Sequence, residues 1–233
     1  MRIGIIGNGQ FGQLLVRIMH EKCPEVEIIL YSRRTDSLEK LDKVIKTSDI
    51  IIPAVPINQF KDVIKYIAPL LSSGKTIVDV CSVKEYPVRI MKEYISSGAT
   101  IIATHPLFGP KSWADAEEKI VVHKIQGDES SFLSIKKLFI SMGLSIIEMS
   151  PHEHDELQAR SQFFAQTVRS LAQSLHLEKT QIDTPSAALI FQSLESMGNS
   201  HDLFLDMIRY NSSCREILKK MKNELEILLS SSI

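Results

Sequence analysis

The sequence predicts an α/β protein in which a doubly wound, mostly parallel β-sheet is followed by a smaller all-helical C-terminal domain. As far as about residue 150, short runs rich in Ile and Val alternate with longer mixed segments, which is typical of parallel strands joined by crossover helices. These runs are apolar at consecutive positions, as expected when helices cover both faces of a sheet. Beyond that point apolar residues recur at spacings of three and four, as in Leu203, Met207 and Ile208, and this pattern predicts helices.

Six or seven strands are predicted in the first domain. They cover residues 2–6, 26–32, 49–55, 76–81, 100–104, 119–125 and 145–149. Pro53 has no amide hydrogen to donate to a sheet, so we place it near the carboxyl end of the third strand, where the chain leaves the sheet.

The change of pattern places a domain boundary near residue 150. Ser150 is a suitable helix cap, Pro151 suits a first turn, and Glu153 lies near the positive end of the helix dipole. The predicted domains are therefore residues 1–150 and 151–233. A helical domain of only about 80 residues buries little apolar surface by itself, so we expect it to pack on the first domain or on a second copy of the chain.

The composition excludes several classes of protein. Apolar residues make up 44% of the chain and charged residues 24%, with a formal net charge of −1, which excludes a disordered chain, a polybasic nucleic-acid binder and an acidic solvating protein. No apolar stretch approaches the roughly 18 residues of a membrane span, and the first residues are too glycine-rich for a secretory signal. Cys23, Cys81 and Cys214 are widely scattered, which argues against a disulfide framework or a thiolate metal site and favours a cytoplasmic location.

A glycine motif directly follows the first predicted strand and opens a helix. Gly7 permits a tight turn, Gly9 lets the backbone approach a pyrophosphate, and Gly12 lets the helix pack closely on the strand. The N-terminus of the helix then faces the phosphates. This context favours a Rossmann-type dinucleotide-binding domain over residues 1–150, the alternative being a glycine turn that matches by chance. The predicted cofactor contacts are Gly7, Asn8, Gly9, Gln10, Phe11 and Gly12.

The end of the second strand bears on the choice of cofactor. A carboxylate there would bind the ribose 2′-hydroxyl of NAD, whereas the sequence has Ser32, Arg33 and Arg34. A hydroxyl and two guanidinium groups suit a 2′-phosphate, so we expect a preference for NADP, the alternative being that the arginines are solvated loop residues. Val55 ends the third predicted strand and Pro56 forms the turn after it, and we assign both to the same site because ligands bind outside the carboxyl ends of the strands.

Two further strand ends supply candidate reaction residues. His105 follows the fifth strand on a segment stiffened by prolines, and histidine accepts a proton near neutral pH without a large pKa shift. We predict that His105 is a catalytic base on a stiff loop, and that Ser82, beyond the fourth strand, binds the substrate oxygen or orients the histidine. His105 could instead be a buried structural histidine, and Ser82 only a helix cap. Lys84 is expected either to be solvated or to meet a substrate carboxylate.

Five segments together resemble the prephenate and arogenate dehydrogenases of tyrosine biosynthesis, in particular the plant-type arogenate dehydrogenases. They are GNGQFG at 7–12, YSR at 31–33, DVCSVKEYP at 79–87, HPLFGP at 105–110 and EMSPHEHDELQARSQFFAQTV at 148–168. The resemblance implies oxidative decarboxylation of a ring acid with hydride transfer to a nicotinamide cofactor. It also implies a helical dimerisation domain and a substrate site between the two domains.

The resemblance also suggests residues that meet the substrate. Arogenate has an ammonium where prephenate has a keto group, so an acid facing the substrate would favour arogenate, and Asp155 is the candidate; alternatively it offsets the helix dipole. His154 beside it either supports the site or is exposed. Where relatives place a histidine on the next helix, this chain has Gln162 and Gln166, four residues apart and so on one helical face. Where the plant-type pattern ends in Gly-Arg, it has Arg169 one position earlier, which leaves the partner of the substrate carboxylates open.

The residues and the resemblance together predict an NADP-dependent arogenate or prephenate dehydrogenase. We expect it to act on a small molecule, to form a homodimer through the helical domain, and to bind neither nucleic acid nor a membrane. Two alternatives remain open. One is another reductase on the same scaffold, acting on imines or 3-hydroxy acids, and the other is a nucleotide-sensing protein in which the glutamines have abolished turnover.

Overall fold

The computed structural model describes residues 1–96, 98–110, 113, 118–197 and 201–231. The chain divides into two compact units, Met1–His154 and Asp155–Ile233. The division lies within a helix that begins at Pro151, slightly beyond the boundary expected at residue 150. Ser150 caps this helix as expected, since its hydroxyl oxygen accepts a hydrogen bond from the amide of Glu153 at 3.2 Å.

Within the described residues, seven strands of the first unit form one sheet in the order β2-β1-β3-β4-β5-β6-β7. All neighbouring strands are parallel except β5 and β6, which are antiparallel. The fold class and each of the seven predicted strands are therefore confirmed. The strands are β1 (Arg2–Ile6), β2 (Glu27–Tyr31), β3 (Ile50–Pro53), β4 (Thr76–Asp79), β5 (Thr100–Pro106), β6 (Lys119–Gln126) and β7 (Ser145–Glu148).

Every residue of the central strands β3, β4 and β5 is buried. Both faces of the sheet are therefore covered by helices. The helices of this unit are α1 (Gln10–Lys22), α2 (Leu38–Thr47), α3 (Ile57–Ile67), α4 (Glu85–Tyr94) and α5 (Glu129–Ser141), followed by α6 (Pro151–Gln158), which runs into the second unit. Pro53 is the last residue of β3 and pairs with Ile6, as predicted.

The second unit is helical throughout its described residues. A π-helical turn (Ala159–Phe163) follows α6 and leads into α7 (Phe164–Ser174), α8 (Pro185–Ser196), α9 (His201–Tyr210) and α10 (Ser212–Ser230). Phe163 stacks on Phe204 with ring centroids 5.3 Å apart. Asn211 is fully buried and donates to the carbonyl of Asp155 at 2.9 Å, so a polar residue between α9 and α10 fixes the start of this unit.

A buried ion pair joins the carboxyl ends of β4 and β5. The ammonium of Lys84 donates to both carboxylate oxygens of Asp79, at 2.6 and 2.7 Å, and to the carbonyl of Thr104. The carboxylate of Asp79 also accepts hydrogen bonds from the amides of Cys81 at 2.8 Å and Thr104 at 3.2 Å. Asp79 and Lys84 are 0% and 1% exposed, and such a pair is stable only when its hydrogen bonds are satisfied.

Replacing Lys84 by Met should lower the free energy of unfolding by about 3–5 kcal/mol, the usual cost of removing one partner of a buried ion pair. Burial raises the pKa of Asp79, and the charge of Lys84 is the largest opposing influence. Without Lys84 the pKa of Asp79 should rise further. A carboxyl group with a raised pKa stabilises the fold at low pH, where it is protonated, and loses that contribution as the pH rises. The variant should therefore lose more stability at about pH 8 than at about pH 5, which denaturant unfolding followed by circular dichroism measures.

Arg89→Met provides the control, because it removes an exposed pair with Glu93 on the same helix, 3.8 Å apart. Exposed pairs contribute little to stability, so this variant should unfold like the wild type at both pH values. If Lys84→Met were no less stable than Arg89→Met, the ion pair would not be what holds the two strand ends together.

Candidate active site

The glycine motif forms a turn at the carboxyl end of β1 that a side chain would not fit. Gly7 has a φ of +124°, and a Cβ atom on it would lie 2.2 Å from the carbonyl oxygen of Ala54. A Cβ atom on Gly12 would lie 2.0 Å from the carbonyl oxygen of Gly7, so both positions require glycine. These contacts are the tight turn and the close helix–strand packing that the sequence predicts.

Gly9 differs from the other two glycines. A Cβ atom on it would meet nothing within 4 Å, and Asn8, Gly9 and Gln10 are all exposed. Gly9 begins α1 without a side-chain cap, which suits a helix N-terminus whose amides bind an anion. The open space and exposed backbone therefore fit the pyrophosphate of a dinucleotide.

The ends of β2 and β3 lie beside this turn. The amide of Gly7 donates to the carbonyl of Tyr31 at 2.9 Å. On the other side, Cγ1 of Val55 is 3.3 Å from where a Cβ atom on Gly7 would be, and Pro56 is exposed at the start of α3. Because β1 is hydrogen-bonded to both β2 and β3, the turn lies where the strand order reverses, the usual place for a ligand in such sheets.

The loop after β2 contains the residues proposed to select the cofactor. Ser32 is 9% exposed, whereas Arg33 and Arg34 are exposed. A carboxylate does lie here, contrary to the expectation from the sequence, since Asp36 accepts a hydrogen bond from the amide of Ser32 at 2.8 Å. The sequence did not reveal this contact because Asp36 reaches back four positions along the chain to the end of β2.

His105 is a strand residue, and the predicted loop position is wrong. Strand β5 extends to Pro106 because it pairs with β6, with His105 opposite Val121. The side chain is 7% exposed, and its Nδ1 atom lies 2.8 Å from Nε2 of His154. The rings meet edge to face with centroids 5.0 Å apart. Because Nδ1 is engaged in this way, Nε2 is the ring nitrogen that a reacting group would meet.

The surroundings of His105 favour its neutral form. Burial holds the pKa of His105 well below its ordinary value of 6.5, and the nearby His154 and Lys84 lower it further. The imidazole is therefore uncharged at neutral pH, the state in which it can accept a proton. His154 is 4% exposed, so the alternative that it is exposed is wrong and it instead contacts the candidate base.

Two residues predicted near His105 have different outcomes. Ser82 is half-buried in the connection between β4 and α4. It is not the cap of α4, because Lys84 occupies that position. The alternative that Lys84 is solvated is wrong, since its ammonium is buried and bonds to Asp79 and Thr104.

Aromatic rings connect the glycine turn to the segment that follows His105. The rings of Phe11 and Phe108 have centroids 6.3 Å apart, and Phe108 and Trp113 have centroids 4.9 Å apart. Phe11 is the fifth residue of the motif and Phe108 lies three positions after His105. The sequence assigned Phe11 to the cofactor, and the structure adds a packing role for it.

The candidate substrate residues of the second unit are placed differently from one another. Asp155 is 0% exposed, and its main-chain carbonyl accepts a hydrogen bond from Asn211 at 2.9 Å. The π-helical turn at Ala159–Phe163 breaks the regular spacing between Gln162 and Gln166, of which the first is exposed and the second half-buried. Nε of Arg169 donates to the carbonyl of Leu194 at 3.0 Å, which ties α7 to α8.

No helix among the described residues is both long enough and apolar enough to span a membrane. The described residues also contain no group of three or more His, Cys, Asp or Glu side chains arranged to bind a metal ion.

Comparison with known proteins identifies the family. Residues 15–123 match the family model for the nucleotide-binding domain of prephenate dehydrogenase. The chain is 31% identical to arogenate dehydrogenase 1, chloroplastic, of Arabidopsis thaliana, over 98% of this chain and 38% of that protein. It is 25% identical to arogenate dehydrogenase 2, chloroplastic, of the same plant, over 97% of this chain and 68% of that protein. The chain thus spans less than two fifths of the length of the first of these relatives.

Two solved structures have the same fold as this chain. Prephenate dehydrogenase from A. aeolicus in complex with hydroxyphenyl propionate and NAD+ superimposes with a TM-score of 0.75 at 18% identity, covering 100% of this chain and 91% of that one. Synechocystis arogenate dehydrogenase gives a TM-score of 0.73 at 20% identity, covering 99% of this chain and 91% of that one. The chain belongs to the prephenate/arogenate dehydrogenase family.

Proposed function

We propose that this protein catalyses the oxidative decarboxylation of arogenate or prephenate with NADP, as a step of tyrosine biosynthesis. The observation that supports this most directly is the buried His105, whose Nδ1 atom is 2.8 Å from Nε2 of His154. This pair fixes one ring nitrogen and leaves the other for a substrate hydroxyl. Family membership supplies the reaction class, and the glycine turn fits the dinucleotide.

Proton transfer to His105 requires one particular tautomer. If Nδ1 of His105 carries the hydrogen and donates it to His154, then Nε2 has a free lone pair and can accept the proton of the substrate hydroxyl. The C–H bond of the same carbon breaks as a hydride leaves, so that carbon becomes a carbonyl carbon. As carbon dioxide departs, the electron pair of the broken C–C bond passes through the ring to the carbonyl oxygen, which takes the proton back from His105 to give an aromatic phenol. The bound nicotinamide supplies the hydride acceptor. Ser82 is proposed to hold the hydroxyl, and Gln162, Gln166 and Arg169 stay proposed substrate contacts.

Preference for NADP is part of this proposal. Arg33 and Arg34 are exposed beyond β2, and the amide of Gly7 bonds to the last residue of that strand. Guanidinium groups beside the pyrophosphate turn suit a 2′-phosphate, because they offer planar, charge-assisted donors.

We also propose a homodimer formed through the helical unit, in a cytoplasmic location. Many large apolar side chains of that unit are exposed, including Leu175 at 63%, Ile182 at 85% and Leu189 at 63%. Such surface usually marks a protein interface. The three cysteines are buried and form no disulfide, as expected in a reducing compartment. Sedimentation equilibrium should give twice the chain mass of 26.3 kDa.

Replacing His105 by Asn should lower kcat by at least about a hundredfold, because a positioned base contributes about that factor or more. Binding of NADP should be unchanged, since the imidazole acts on the substrate. Formation of NADPH in steady-state assays with arogenate and with prephenate measures the first effect, and calorimetric titration measures the second.

The same assays can overturn the proposal. A His105→Asn variant with nearly wild-type turnover would exclude the histidine as base. Tight binding of NADP by the wild-type protein without turnover of either ring acid would instead favour a nucleotide sensor. Turnover of an imine or a 3-hydroxy acid alone would favour the other reductases of this fold.

The low pKa of His105 predicts the pH dependence of kcat/KM. A base with a lowered pKa stays neutral until the pH falls below that value, so activity should persist below pH 6.5, the ordinary pKa of histidine. His154→Gln removes one of the influences that lower this pKa. The acidic limb of its profile should therefore move to higher pH.

His152→Gln is the matched control, since His152 lies on the same helix, is exposed and bonds to Glu85 at 3.1 Å. Its pH profile should superimpose on that of the wild type. An acidic limb at the same pH in His154→Gln and in the wild type would show that the contact at 2.8 Å does not influence the base.

A further inference from the structure

The connection from β2 to α2 is closed by one carboxylate. Asp36 Oδ2 accepts the amide hydrogen of Ser32 at 2.8 Å, and the carbonyl of Ser32 accepts hydrogen bonds from the amides of Thr35 at 3.1 Å and Asp36 at 2.9 Å. Both backbone groups of Ser32 are thus bound within the loop. Between these anchor points, Arg33, Arg34 and Thr35 are exposed.

The carboxylate of Asp36 is also held on its other side. Its Oδ1 atom lies 2.8 Å from the ammonium of Lys40, one turn into α2. The amide of Lys40 in turn donates to the hydroxyl of Ser37, which caps that helix. The bonds from Lys40 and from the amide of Ser32 lower the pKa of Asp36, so the group is ionised at neutral pH.

This orientation reverses the usual effect of an acid after the second strand. A carboxylate directed at the ribose would bind a 2′-hydroxyl and repel a 2′-phosphate. Asp36 instead binds a backbone amide and Lys40, and its side chain is only 16% exposed. The ammonium of Lys40 compensates the charge of Asp36. Arg33 and Arg34 are exposed, so a ligand at this loop meets their positive charge.

We propose that Asp36 is a positioning residue for cofactor selection, which presents Arg33 to the 2′-phosphate of NADP by closing the loop on Ser32. This proposal rests on the proposed preference for NADP. Asp36 does not touch the cofactor in this scheme. Its role is exerted through Arg33. Arg34, Glu39 and Lys40 are further exposed charged residues of the same segment.

The test compares the dissociation constants of NADP and NAD, measured by calorimetry on the full chain. Asp36→Ala should raise the dissociation constant of NADP by about tenfold or more, equivalent to about 1.4 kcal/mol, while the dissociation constant of NAD changes little. Asp36→Asn retains an acceptor for the amide of Ser32 but loses the charge, so its effect should be intermediate. The turnover number at saturating NADP should not change, which distinguishes positioning of the cofactor from general damage to the fold.

Asp128→Ala is the matched control. Asp128 precedes another helix of the same unit and its carboxylate accepts a hydrogen bond from the amide of Ser131 at 2.9 Å. Removing it takes away an acid with a comparable local bond, so the ratio of the two dissociation constants should remain that of the wild type.

Arg33→Ala separates this inference from the proposed function. If Asp36 acts through Arg33, the double variant should lose little more affinity for NADP than Arg33→Ala alone, because the two effects are then not additive. If Arg33→Ala lowers the preference for NADP and neither Asp36 variant does, the positioning role is excluded while the proposed cofactor stands. If Arg33→Ala leaves the preference unchanged, the phosphate contact is excluded and the role of Asp36 is excluded with it.

Two further outcomes would overturn the inference. If Asp36→Ala raised the dissociation constants of NADP and NAD by the same factor, the role of the residue would be purely structural. Tighter binding of NADP would mean that Asp36 repels the phosphate. If Asp36→Ala does not fold, Asp36→Asn and Lys40→Met provide the same comparison, and unchanged ratios in both would exclude the proposal.

Discussion

The buried ion pair between Asp79 and Lys84 is the constraint on which the candidate active site depends. It joins the last residue of β4, the start of α4 and the end of β5, because Thr104 both donates to Asp79 and accepts from Lys84. His105 is the next residue along the chain. Its backbone is therefore constrained by the ion pair on one side and by its pairing with Val121 of β6 on the other. The same ammonium also acts on the imidazole electrostatically, since Lys84 lowers the pKa of His105.

A histidine as the partner of His105 has a different consequence from a carboxylate. A carboxylate fixes the tautomer of a catalytic imidazole and also stabilises its protonated form. His154 can fix the tautomer through the same ring nitrogen, but it lowers the pKa instead of raising it. A base of this kind is unprotonated at neutral pH and readily releases a proton that it has accepted, which suits the proposed reaction, because aromatisation of the product would drive it.

The sequence predicted the architecture well, because strands covered on both faces leave continuous apolar runs such as Ile50–Pro53. The glycine turn was equally predictable, since at a φ of +124° only glycine is unstrained. Contacts between distant positions were not predictable. His105 and His154 are separated by 49 positions, and no local pattern indicates that they meet. The π-helical turn was not predictable either, since it is a single irregular turn inside an otherwise helical segment and no local pattern marks it.

Two acids to which the sequence assigned no role share one local arrangement. Asp36 and Asp79 each follow or end a parallel strand, the position where a carboxylate is expected to meet a ligand. Each is instead bonded to a backbone amide of its own loop and to a lysine, at Ser32 and Lys40 in one case and at Cys81 and Lys84 in the other. Loop amides at strand ends lack sheet partners, so a short acidic side chain can satisfy them. Lys84 and Lys40 compensate the charges of Asp79 and Asp36. Because the charge of Asp36 is compensated, the exposed guanidinium groups after β2 can attract an anionic ligand, although the net charge of the protein is −1.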